Sequence, residues 1–146
     1  MADAELQRAQ LGGHGGAQAA SQRATSSGFA RTKKAEIPLD TDIGGRADAF
    51  NPAELFLAAI AACMIKGIER VTPMLNFELR GVDVALHAVR QDAPPKIVSV
   101  DYELIIDTDE TEQRLALLHT NVRKYGTISN TVAQATPLEG TIRRKS

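Results

Sequence analysis

The chain has 146 residues, of which 43% are hydrophobic and 24% charged, with 17 basic and 18 acidic side chains and a net charge of -1. That size suits one domain able to bury a core without metals or disulfides, and the balanced charge gives no electrostatic ground for nucleic acid or an anionic membrane as partner. The single cysteine excludes an internal disulfide and fits a reducing, cytoplasmic setting.

Residues 1–28 are rich in Ala, Gln, Gly and Ser and show no periodicity, which predicts a flexible N-terminal arm ahead of one domain over 29–146. No basic segment followed by an apolar run marks a signal peptide. The Gly12-Gly13-His14-Gly15-Gly16 patch lacks the preceding strand that a phosphate cradle requires. Phe29 to Leu39 reads as one short strand or a ragged pair. Asp40-Thr41-Asp42-Ile43-Gly44-Gly45-Arg46 then reads as a loop from its Asp and Gly density, and it delivers Arg46 just ahead of the next element.

That element organises the chain. Asn51 is a good N-cap and Pro52 suits the first helical position, so a helix is expected from there to Val71, ending before Thr72-Pro73. From Leu55 to Ile65 every residue is apolar, the pattern of a helix covered on all sides. The run is nevertheless well short of the ~20 residues that span a bilayer. Cys63 sits within it.

After Pro73 the period changes to two. Val82, Val84, Leu86 and Ala88 alternate with polar neighbours, as do Val98, Val100, Tyr102, Leu104 and Ile106. With Asp92-Ala93-Pro94-Pro95 between them, the two runs predict an antiparallel hairpin. A second helix is expected from a cap at Thr108 or Asp109 to Tyr125, with Leu115, Leu118, Val122 and Tyr125 as its apolar stripe and Gly126 as its stop. Ser129-Asn130-Thr131-Val132 suggests a short third helix, and Leu138 to Ile142 a last strand. The sum is an α+β domain with a buried central helix and an antiparallel sheet. A helix apolar all round needs more cover than one modest sheet provides, so a homodimer is expected, two such helices packing together.

Asn51-Pro52, then Glu54, then Leu55-Phe56-Leu57-Ala58-Ala59-Ile60-Ala61-Ala62-Cys63 resembles the central helix of the OsmC/Ohr family (osmotically inducible protein C and organic hydroperoxide resistance proteins). The likeness covers roughly 29–145. It implies an intertwined α+β homodimer and a thiol peroxidase that reduces organic hydroperoxides in oxidative stress defence, with no cofactor or metal. By that resemblance Cys63 stands where the peroxidatic cysteine stands, and an arginine and a glutamate hold it as thiolate. Arg46 is the candidate guanidinium. The family's glutamate usually follows the proline directly, where this chain has Ala53; Glu54 comes one place later. The resolving cysteine of the family falls at Gly126 here. The chain thus reads as a divergent member that lacks that cysteine and would need an external thiol reductant.

Helix geometry limits Glu54. At ~100° and ~1.5 Å per residue it points about 180° from Cys63 and lies ~13–14 Å below it, so it could serve a thiol only across paired helices. Two readings of Cys63 remain open: a nucleophile, which needs an ionised thiol and hence a nearby cation, or a small core hydrophobe. The alternative function is non-catalytic binding of a small apolar ligand in the dimer cleft, with Phe56, Ile60 and Met64 as lining. His14, His87, His119 and Cys63 lack metal-ligand spacing. Lys33-Lys34 and Arg143-Arg144-Lys145 are short solvated charge runs.

Overall fold

A reciprocal pair of hydrogen bonds starts the central helix α1, Pro52–Leu75, in the computed structural model, which describes residues 18–22 and 27–146. Asn51 Oδ1 accepts from the Glu54 N–H at 2.9 Å while Glu54 Oε2 accepts from the Asn51 N–H at 2.9 Å, a capping box that satisfies two amides with no partner in the helix. The helix continues past Val71, where the sequence predicts its end. Pro73 removes the N–H that would bond the Glu69 carbonyl, and the Thr72 hydroxyl donates to that carbonyl instead at 3.4 Å. The end comes at Asn76, with φ 48. The Phe77 N–H reaches the Thr72 carbonyl at 2.9 Å and the Asn76 N–H reaches the Pro73 carbonyl at 3.2 Å, a Schellman closure.

The chain divides into two compact units, residues 1–56 and 57–146, with the boundary inside α1. In the first, strands β1 (Gln18–Gln22), β2 (Ser27–Thr32) and β3 (Ala35–Leu39) form an antiparallel three-stranded sheet in that order. Phe29 to Leu39 is therefore the second strand's body and the third, joined at Lys33, which takes φ 54. Strand β1 and the start of β2 fall within the stretch expected to be a flexible arm. Their pairing runs through backbone groups, which composition does not signal. The rest of that arm, His14 and its glycines included, lies outside the described residues. The Asp40–Arg46 stretch is a loop, pinned where the Asp40 N–H bonds the Phe50 carbonyl at 2.8 Å.

In the second unit β4 (Gly81–Asp92) and β5 (Pro95–Asp107) form the expected long hairpin, and β6 (Leu138–Arg144) pairs with the far edge of β5. The sheet is mixed rather than antiparallel, because β6 runs parallel to β5. A parallel neighbour needs a long crossover, which α2 (Glu112–Tyr125) and α3 (Thr127–Ala133) supply. Thr111, not Thr108 or Asp109, caps α2: its hydroxyl accepts from the Arg114 N–H at 3.3 Å. Thr108 is engaged with the Glu78 carbonyl and Asp109 with Arg80. Gly126 ends α2 at φ -78, so its role is not a left-handed stop.

Val100, Tyr102, Leu104 and Ile106 on the central strand, Leu115, Leu118 and Val122 on α2, and Ile60, Met64, Ile68 and Val71 on α1 are buried. Each fully buried aliphatic side chain of this set contributes about 1.5–3 kcal/mol. Helix α1 is not covered on every side. Ala59 and Ala62 are exposed and Leu57, Ala58 and Cys63 half-buried. Among the described residues, no helix is long and apolar enough to cross a membrane.

Candidate functional site

Cys63 lies about three turns into α1 and is half-buried. It lines a groove of about 440 Å³ made by the exposed side of α1 and the link from α2 to α3. Ala59, Ala62, Lys66, Gly67 and Arg70 come from α1, and Tyr125, Gly126, Thr127 and Ile128 from the link. The helix repeat explains the company the thiol keeps. Lys66 and Arg70, three and seven residues later, stand ~60° and ~20° from Cys63 around the axis, one and two turns above it.

A glycine shapes each wall. Gly67 brings α1 against α2, where an added Cβ would sit 3.6 Å from Val122 Cγ1, an ordinary contact. Gly126 is tighter. A Cβ there would meet Ser129 Oγ at 3.1 Å, and Ser129 Cβ and the Val122 carbonyl at 3.2 Å. The groove therefore holds Cys63 and position 126 together, with no second thiol at 126.

The other two residues singled out in the sequence lie in the first unit. Arg46 and Glu54 line a groove of about 510 Å³ with Ile37, Pro38, Ala47, Asp48, Ala49 and Phe50. The Arg46 guanidinium makes two bonds of 2.9 Å to the Asp48 carboxylate. That pairing holds Asp48 below the usual carboxylate range and raises Arg46, the hydrogen bond being the larger cause in each case. Glu54 is occupied by the capping box. The structure thus brings Arg46 and Glu54 to one groove, and gives Cys63 two cations from its own helix that sequence reading passed over. Their signal was legible, since Lys66 and Arg70 share the thiol's face at helical spacing.

Ile60 and Met64, expected as pocket lining, are 0% and 1% exposed and belong to the core. His119 is half-buried, its Nε2 2.6 Å from the Tyr102 hydroxyl, with the Arg123 guanidinium 5.5 Å from the Tyr102 ring centre. Burial first, and Arg123 second, lower the His119 pKa; burial raises that of Tyr102 against the opposing pull of Arg123. Among the described residues, no three His, Cys, Asp or Glu side chains are grouped to hold a metal ion.

The OsmC-like protein family matches this chain over residues 45–140. No curated protein matches it. Among solved structures, an OsmC-like protein from Mycoplasma pneumoniae is 17% identical, with a TM-score of 0.80 over 92% of this chain and 98% of that one. An organic hydroperoxide resistance protein from Legionella pneumophila is 22% identical, with a TM-score of 0.65 over 86% and 93%. The corresponding protein of Bacillus subtilis is 16% identical, with a TM-score of 0.61 over 88% and 96%. At these identities the likeness establishes the shared α+β fold.

Proposed function

The chain belongs to the OsmC-like protein family, and on that premise we propose that it is a one-cysteine thiol peroxidase acting on organic hydroperoxides through Cys63. The observation that carries this reading is an open groove in which the thiol shares a helix face with Lys66 and Arg70. The thiolate is the nucleophile in such a reaction. The Cys63 thiolate attacks the peroxide, the O–O bond breaks, and an alkoxide leaves to take up a proton, giving Cys63 sulfenic acid and an alcohol. With glycine at 126, an external thiol completes the cycle.

The same reading makes the working unit a cytoplasmic homodimer. Ala59 and Ala62 are apolar and exposed on α1, and a second copy is the simplest cover. Arg46 and Glu54 enter only as contributions across the paired helices to the opposite thiol.

The test is hydroperoxide consumption with cumene hydroperoxide and an excess of small thiol. Wild type is expected to turn over and Cys63→Ser to lose turnover entirely; equal rates for the two would end the proposal. The second reading is storage or carriage of a small apolar ligand, favoured by Ala59, Ala62, Tyr125 and Ile128 in the groove. In that case native mass spectrometry would find co-purified ligand on wild type and Cys63→Ser alike.

A further inference from the structure

We infer that the groove beside Cys63 docks the anionic group of a small thiol, the reductant of the oxidised cysteine. The oxidised state is supplied by the peroxidase reading, on which this inference rests; the ligand class is read from the groove itself. Its volume of about 440 Å³ falls within the range of small-molecule sites. The lining is small and apolar around the thiol, with Lys66 and Arg70 on one side.

Among the described basic groups of the second unit that have no ion pair, Lys66, Arg70, Lys96, Arg123 and Lys124, these two line the groove; the remaining lysines and arginines are paired. Arg80 binds Asp107 and Asp109, Arg114 binds Glu110, Arg143 binds Glu103 and Arg144 binds Glu112. Neither Lys66 nor Arg70 has an ion pair or hydrogen bond among the described residues. Glu69 is next in sequence to Arg70 but turned ~100° from it around the helix, and it does not line the groove. Two cations with no ion pair within their own chain, one and two turns from a thiol, favour a negatively charged visitor.

Position 126 explains why the visitor must bring the sulfur. A Cβ there would crowd Ser129 and the Val122 carbonyl at 3.1–3.2 Å, and Cys63 is the single cysteine of the chain, so the second thiol has to come from outside the chain. Its thiolate attacks the Cys63 sulfur of the sulfenic acid and the S–O bond breaks. The leaving hydroxide takes the proton to form water, leaving a mixed disulfide. A second molecule of the same thiol attacks that disulfide, releasing the small-molecule disulfide and restoring Cys63. Two thiols are oxidised for each hydroperoxide reduced to alcohol and water.

The docking step can be tested without peroxide. The 146-residue protein is converted to the Cys63 pyridyl disulfide with dithiodipyridine, and pyridinethione release is followed with mercaptosuccinate or 2-mercaptoethanol. Each rate is divided by that thiol's rate on a free cysteine pyridyl disulfide, which removes intrinsic reactivity. The expected result at low ionic strength is about a tenfold preference for mercaptosuccinate. High salt, and the double variant Lys66→Gln with Arg70→Gln, should each bring the ratio toward one. A ratio of one or less in wild type, or one unmoved by both substitutions, would overturn the proposal. So would a Cys63 that the pyridyl reagent cannot reach. If the preference holds while cumene hydroperoxide leaves Cys63 unoxidised, the docking site stands and the peroxidase reading falls. If the sulfenic acid forms without the preference, the docking site alone falls.

Discussion

Two glycines in the second unit have opposite reasons for being glycine. Gly140 on β6 lies opposite Tyr102 of β5, and a Cβ there would sit 2.2 Å from the Tyr102 carbonyl oxygen and 2.5 Å from its ring. Backbone on a central strand cannot yield, so Gly140→Ala is expected to cost about 1–3 kcal/mol in urea unfolding. Gly67 has ordinary contact distance to its neighbour, so Gly67→Ala should be neutral or stabilise by about 0.5–1 kcal/mol through helix propensity. A large loss at Gly67 would mean that α1 and α2 pack more closely than the 3.6 Å contact indicates. Glu54 poses a different question at this scale, because its carboxylate is already used in the cap. Glu54→Gln keeps an acceptor for the Asn51 N–H and should leave stability unchanged, whereas Asn51→Ala removes the other half and should cost ~1 kcal/mol. A Glu54→Gln variant that keeps its stability but loses hydroperoxide turnover would show a catalytic role for that side chain.

The elements were legible in the sequence where one period dominates. Alternation placed β4 and β5, and the buried face of β5 is the one expected, Val100, Tyr102, Leu104 and Ile106. On α2 Leu115, Leu118 and Val122 are buried for the same reason, whereas Tyr125, expected on the same stripe, is 39% exposed at the helix end; Leu118→Ala should cost about 2–5 kcal/mol. The misses have local causes. Proline at 73 reads as a stop, but the Thr72 hydroxyl replaces the bond it removes and Asn76 supplies the left-handed closure. Arg114, on α2, then donates to the Leu75 and Asn76 carbonyls at 2.8 Å, placing positive charge at the negative end of α1. That bond joins residues far apart in sequence, as does the parallel pairing of β6, and neither has a local signal. The site divides likewise. Cys63 could be read directly, and Lys66 and Arg70 follow from helical spacing. The wall formed by Tyr125 to Ile128 depends on how the α2–α3 link returns to α1.

For the whole molecule, pH and assembly are the informative variables. His119 binds its proton less readily in the folded chain than in the unfolded one, because burial and Arg123 both oppose the charge. Stability is therefore fully present above the ordinary value of 6.5 and is expected to decline as pH falls below it. Tyr102, raised by burial, adds the opposite limb, a decline as pH rises past 10.0. Urea midpoints across that range should show both limbs, and His119→Gln should flatten the acid one. The apolar residues left open on α1 make light scattering at micromolar concentration a direct check of assembly, with the homodimer expected. The proposed function, however, turns on the reactivity of one sulfur. Its most direct measurement is the rate of Cys63 sulfenic acid formation with cumene hydroperoxide, followed by intact mass with a dimedone trap and compared with free cysteine at the same pH. The expected result is oxidation at Cys63 at least a hundredfold faster than free cysteine, on the order of the ~2.7 kcal/mol that two tenfold steps represent. A rate no greater than that of free cysteine would contradict the account.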